Sequence, residues 1–153
     1  MKPDTVYSLS EEETMELGRH LAQNLRAGDL VLLEGDLGLG KTVFVRGVAS
    51  SLGVPPEDVS SPSFTLVQEY RGGSVPVFHV DLYRLESPED VATLGIEDIL
   101  AGGGLALVEW GERLPPFYRR ECTVVRFYDR GEGARQIEIS RRTAKPAQRR
   151  GDA

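Results

Sequence analysis

Gly35-Asp36-Leu37-Gly38-Leu39-Gly40-Lys41-Thr42 separates two stretches of opposite character. Ahead of it, Leu30-Val31-Leu32-Leu33-Glu34 is an apolar run of strand length. Behind it, Val43 to Leu52 contains no proline and a single glycine, so a helix can form there. A chain that leaves a buried strand through glycines and turns straight into a helix points to an α/β fold. All fixed positions of the pattern G-x-x-x-x-G-K-[ST] are met, in the strand–loop–helix context the pattern requires. A glycine-rich turn with a surface lysine is the plainer alternative, and it leaves those flanks unexplained.

Each residue type in the loop has a chemical reason. Glycines let the backbone approach a ligand with no side chain between them. The exposed N–H groups form an anion nest, and the following helix adds the positive end of its dipole. Asp36, Leu37, Gly38, Leu39, Gly40 and Val43 supply this backbone cradle. Lys41 brings a mobile ammonium for the outer phosphates of a nucleotide, and Thr42 a hydroxyl for Mg2+.

The rest of the composition narrows the classes available. A chain of 153 residues suits one domain. With 40% hydrophobic and 27% charged residues it reads as a soluble globular protein. No apolar run approaches the ~20 residues of a membrane span, and the first ten residues lack a signal-peptide layout. The single cysteine, Cys122, excludes an internal disulfide and a cysteine-based metal cluster, and a cytoplasmic setting follows as the expectation. A net charge of −6 argues against binding nucleic acid through the overall field. The final segment, Arg141 to Ala153, is basic and nearly devoid of apolar residues. It reads as a disordered, solubilising tail, with contact to nucleic-acid phosphates as the alternative. The folded domain is accordingly expected over residues 1–140.

Read in order, the chain alternates helices and strands early and pairs strands locally later. Ser10 to Glu13 has the form of a capping box, and Leu17, Leu21 and Leu25 recur at helical spacing until Gly28. Pro55-Pro56 ends the helix after the glycine loop. Phe64–Tyr70 and Val75–Val80 are strand-like, with Pro76 pointing to a strand start or edge. Ser87-Pro88-Glu89-Asp90 starts a helical region that reaches Leu100, interrupted at Gly95. Leu105–Val108 is a buried strand, and Cys122–Tyr128 and Gln136–Ser140 are a strand pair. The expected fold is a three-layer α/β/α sandwich with a mixed, mainly parallel sheet.

Two apolar strands end in carboxylates, at Asp81 and Glu109. Ligand sites in open α/β sheets lie beyond the carboxyl ends of strands, so both acids are candidates for holding Mg2+ or positioning water beside Thr42. The alternative is that these strands simply end in polar turn residues. Ser61, Ser63 and Thr65 occupy a polar loop where nucleotide switches sense phosphate, although a plain Ser/Pro turn accounts for them equally well. Trp110 follows Glu109 and is either core or a ligand-stacking neighbour. His79, inside an apolar strand, reads as a satisfied core histidine.

Taken together, four stretches carry a resemblance. Gly35 to Thr42, Ser61-Pro62-Ser63-Phe64-Thr65-Leu66, His79-Val80-Asp81-Leu82-Tyr83-Arg84-Leu85 and Glu109-Trp110-Gly111-Glu112 resemble the TsaE (YjeE) family of small bacterial ATPases in order and interval. The likeness extends over roughly Ser8 to Ile139. It implies a Mg-dependent ATPase that binds ATP/ADP, hydrolyses it weakly alone, and supports threonylcarbamoyladenosine synthesis in tRNA. It implies as partners a TsaD-type threonylcarbamoyltransferase and its TsaB-type companion, with tRNA met through that complex and no membrane involved. By the same resemblance Lys41 serves the phosphates, and Thr42 and Glu109 serve Mg2+. Asp81, Ser61 and Thr65 serve hydrolysis or its switching, and Glu11 and Arg135 lie near the nucleotide. Two positions depart from the family pattern: Ser63 stands where Thr is usual, and Leu39 replaces Ala, where it could crowd a partner or stiffen the loop.

Two other classes stay open. One is a nucleotide-gated binding module in which hydrolysis is incidental. The other is a small-molecule kinase, for which Arg119-Arg120 is a weak lid candidate. A GTPase is disfavoured, because Asn24 is the only asparagine and no guanine-reading Asn-Lys-x-Asp exists.

Overall fold

The computed structural model describes residues 4–36, 38–60, 66–85 and 87–143. Seven strands form one sheet in the order β1-β7-β6-β2-β5-β4-β3. The strands are β1 (Asp4–Ser8), β2 (Leu30–Glu34), β3 (Val67–Tyr70), β4 (Val77–Asp81), β5 (Leu105–Glu109), β6 (Cys122–Asp129) and β7 (Arg135–Arg142). The four inner strands β6, β2, β5 and β4 are parallel to their neighbours within that group. At the flanks β7, β1 and β3 pair antiparallel. The helices are α1 (Glu11–Ala22), α2 (Lys41–Ser51), α3 (Pro88–Ala92) and α4 (Ile96–Ala101).

The sheet is apolar on both faces, so residues alternate between two cores. Val31 and Leu33 of β2 pack with Phe44, Val45 and Val48 of α2 and with Leu17 and Leu21 of α1. Leu30 and Leu32 pack on the opposite face with Val91, Ile96 and Leu114. This is the expected three-layer architecture.

Local sequence explains the helix boundaries. Ser10 caps α1 by accepting from the Glu13 amide (3.1 Å), and the Glu13 carboxylate reaches back to the Leu9 amide (2.8 Å). The helix stops at Ala22, not at Gly28 as expected. The Asp29 carboxylate accepts from the Arg26 amide (2.8 Å), and this local side-chain bond holds a turn in place of a further helical turn. Gly95, in the left-handed region at φ 72°, separates α3 from α4 at the expected break.

At its far end β7 runs two residues beyond the expected Ser140 and absorbs the start of the anticipated tail. Arg141 and Arg142 pair with Thr123 and Cys122. The open edge of β6 needs backbone partners there, and side-chain polarity does not prevent pairing. The basic segment therefore begins after the strand; residues 144–153 lie outside the described residues.

Helices α1 and α2 meet with unusually little between them. A Cβ built on Gly18 would lie 2.3 Å from the Phe44 carbonyl oxygen, and one on Gly47 would lie 2.0 Å from that of Met15. The two glycines therefore let backbone rest on backbone. Gly47→Ala is expected to force the helices apart and lower stability by about 1–3 kcal/mol. A thermal melt against the unchanged protein checks this; an equal midpoint would show that the contact is soft.

Candidate functional site

The site lies where β2, β5 and β4 end together. Leu33 is registered with Glu109, and Glu109 with Asp81. Parallel strands registered in this way put their following residues on one rim, where the glycine loop leaves β2. Gly40 precedes α2 with φ 94°, a left-handed conformation that a side chain rarely adopts. The N–H groups of Lys41, Thr42 and Val43 precede the first intrahelical bond of α2, which runs from the Phe44 amide to the Gly40 carbonyl (2.9 Å).

Lys41 and Thr42 open α2. Lys41 is buried, and its ammonium donates to the Gly35 carbonyl and lies 5.4 Å from the centre of the Trp110 ring. Leu39 is also buried and joins the core beneath α2. Of the two effects expected of Leu39, a change in loop stiffness suits this inward-packed side chain. Asp36 and Gly38 are exposed, and Thr42 and Val43 are half-buried. Leu37, Ser61, Ser63 and Thr65 lie outside the described residues.

Both carboxylates at the strand ends are buried. Glu109 accepts a 2.6 Å hydrogen bond from His79 Nε2 through Oε2, a length typical of charge-assisted bonds. Asp81 Oδ1 accepts from the Tyr83 amide (2.9 Å) and closes the turn after β4. Arg113 pins that turn by donating to the carbonyls of Leu82, Tyr83 and Leu85. Among the described residues no group of three or more His, Cys, Asp or Glu side chains forms a metal cage. Magnesium seldom needs one: one or two carboxylates plus nucleotide oxygens and water suffice. The Thr42 hydroxyl and the Asp81–Glu109 pair fit that pattern of donors.

Trp110 turns out of β5 with φ 61°, a strained conformation for a bulky residue and one that tends to occur at functional sites. Its ring packs against Tyr83 at 5.3 Å and lies 5.2 Å from the Arg113 guanidinium. Its buried Nε1 has no hydrogen-bond partner among the described residues. The ring thus stands between two cations, next to both the lysine of the loop and the turn after Asp81.

Glu11 and Arg135 come together on the other side of the loop. With Thr14, Gly38, Leu39, Gly40, Val43 and Gly133 they line a small cavity of about 80 Å³. Arg135 donates to the Gly38 carbonyl (3.2 Å) and approaches Asp129 (3.5 Å).

Several contributors escaped sequence reasoning. Thr14, buried and bonded to Ser8 (2.7 Å), lies beneath the loop at the position a helical repeat ahead of Leu17 would mark. Glu34 receives Arg119 (2.9 Å) and Arg126 (3.0 Å), and Arg119 also donates to the Gly111 carbonyl (2.9 Å). That clamp ties the start of the glycine loop to the segment after Trp110, and it engages Arg119 away from any lid role. His79 is the buried histidine the sequence implied, but its partner, Glu109, lies 30 residues away and has no local signal. Its Nδ1 faces the Tyr70 hydroxyl at 3.3 Å. Burial pushes the Tyr70 phenol above its ordinary pKa, so this hydroxyl keeps its proton through neutral pH.

A glycine loop between strand and helix, at the carboxyl rim of a mixed sheet, defines a P-loop-like α/β protein. The sequence model of TsaE, described as threonylcarbamoyl adenosine biosynthesis protein TsaE, matches residues 8–137, and the chain belongs to that family. A tRNA threonylcarbamoyladenosine biosynthesis protein TsaE from Nostoc sp. is 41% identical over 139 residues, covering 88% of this chain and 84% of the relative. The protein of the same name from Rickettsia conorii is 47% identical over 103 residues, covering 67% of this chain and 58% of the relative. The crystal structure of Bacillus subtilis YdiB superposes with a TM-score of 0.72 at 32% identity, covering 92% of this chain and 86% of that one.

Because Trp110 lies against Lys41, adding Mg-ATP is expected to change its fluorescence. No change, with binding confirmed by calorimetry, would remove Trp110 from the surroundings of the nucleotide.

Proposed function

We propose that the protein is a Mg-dependent ATPase that serves threonylcarbamoyladenosine modification of tRNA in the cytoplasm, acting with a TsaB–TsaD pair. The observation that carries this reading is the common rim. Lys41 and Thr42 open the helix beyond β2, while Glu109 and Asp81 close the next two parallel strands. Family membership adds the tRNA modification.

The roles follow from the chemistry of the groups. The loop N–H groups and Lys41 bind and neutralise the outer phosphates of ATP. Thr42 and Glu109 hold Mg2+, which when bound supplies charge at those phosphates. Asp81 accepts a hydrogen bond from water and orients it, once its hold on the Tyr83 amide is shared or released. Glu11 and Arg135 flank the loop and grip the nucleotide away from its phosphates. Ser61 and Thr65 bring hydroxyls to the switching of the site, and turnover rises when the partner pair engages. The kinase alternative is disfavoured, because Arg119 is held by Glu34 and the Gly111 carbonyl.

Steady-state turnover of Mg-ATP tests the reading, with the protein alone, with the TsaB–TsaD pair and with tRNA added. Slow turnover alone, strong stimulation by the pair, and a fall of at least about 100-fold in Lys41→Ala are expected. Turnover indifferent to the pair, or phosphate transferred to a small molecule, would send the assignment back to a switch or a kinase.

A further inference from the structure

His79 is fully buried and Glu109 nearly so, yet the strands that carry them are already held by a five-residue parallel register. Their neighbours along these strands, Val77, Val80, Leu105, Leu107 and Val108, are apolar and fully or almost fully buried. A buried polar pair in such surroundings is a weak source of stability, and an apolar pair of similar volume commonly does as well or better. The pair therefore calls for a reason other than holding β4 to β5.

The geometry supplies one. The imidazole is held from both sides, by the Glu109 carboxylate at Nε2 (2.6 Å) and by the Tyr70 hydroxyl at Nδ1 (3.3 Å). Tyr70 is fixed in turn by Ser60, whose amide donates to its oxygen (3.3 Å) and whose carbonyl is within 2.9 Å of that oxygen, and by Gln68 (2.7 Å). A ring caught between two partners cannot rotate, so it fixes one oxygen of the carboxylate, Oε2, and with it the direction of the other.

We propose that His79 is a positioning residue for Glu109: by holding Oε2 it presents Oε1 toward the metal, and Tyr70 keeps the imidazole in register. This assignment rests on the proposed Mg-nucleotide site. Outer partners that orient a metal ligand typically account for about 10- to 100-fold in metal affinity.

Binding measurements test it without turnover. ADP affinity is measured by calorimetry with and without Mg2+, and Mn2+ binding to the ADP complex by electron paramagnetic resonance. His79→Leu is expected to weaken Mn2+ binding about tenfold or more while metal-free ADP affinity stays within about twofold. His79→Gln, whose side-chain amide can donate from the place of Nε2, is expected to recover to within about threefold of the unchanged protein. Tyr70→Phe, which keeps the packing and removes the hydroxyl, is expected to weaken Mn2+ binding about threefold. Unaltered metal affinity in His79→Leu overturns the assignment, as does an equal loss of metal-free ADP binding or a His79→Gln no better than His79→Leu. If His79→Leu does not fold, full metal affinity in Tyr70→Phe together with a tenfold loss in His79→Gln overturns it. An unchanged protein that gains no ADP affinity from Mg2+ overturns the proposed Mg2+ site itself, a result distinct from all of these.

Discussion

Leu33 faces Glu109 across one strand pair, and Glu109 faces Asp81 across the next, so three chain segments leave the sheet level with one another. Parallel pairing imposes this. In antiparallel neighbours the following segments would leave at opposite ends, and a loop and two carboxylates from successive strands could not share a rim. Both faces of these strands are buried, which fixes their register, because a slip of one residue would exchange the two cores. The positions of Glu109 and Asp81 thus trace back to apolar residues such as Leu32, Leu107 and Val80.

The same origin bears on the nucleotide site proposed above, in a chain that is acidic overall. The net charge of −6 repels phosphate at long range. At the rim, however, the groups of the proposed site are the N–H donors at the start of α2 and the Lys41 ammonium, all within the loop and the first turn of the helix. Local donors act at hydrogen-bond distance with little intervening water, so they outweigh a diffuse field that salt screens within about 10 Å.

The sheet, the loop and both strand-end acids were legible in the sequence because each depends on near neighbours. The capping at Ser10 and the break at Gly95 are of the same kind. What was not legible depends on residues far apart. Strand β7 continues through Arg142 because β6 offers an edge; the early stop of α1 is the local exception, since Asp29 takes the amide of Arg26, three residues away, where the apolar repeat suggested more helix. Leu39 left two effects open in the sequence, and only the packing of α2 on the sheet shows that its side chain joins the core. His79 announced itself as a buried polar residue; the identity of its partner required the register of β4 against β5. The loop serines and the basic end lie outside the described residues.

Side chains between packed helices ordinarily act as compressible spacers that let one helix slide or tilt over the other. Gly18 and Gly47 remove those spacers where α1 crosses α2. The two backbones then rest directly on each other, and α2 begins at Lys41. The outward face of α1, with Glu12, Glu16 and His20 exposed, is thereby tied to the glycine-loop end of the molecule. A displacement of α1 would carry the start of α2, and with it the lysine of the loop.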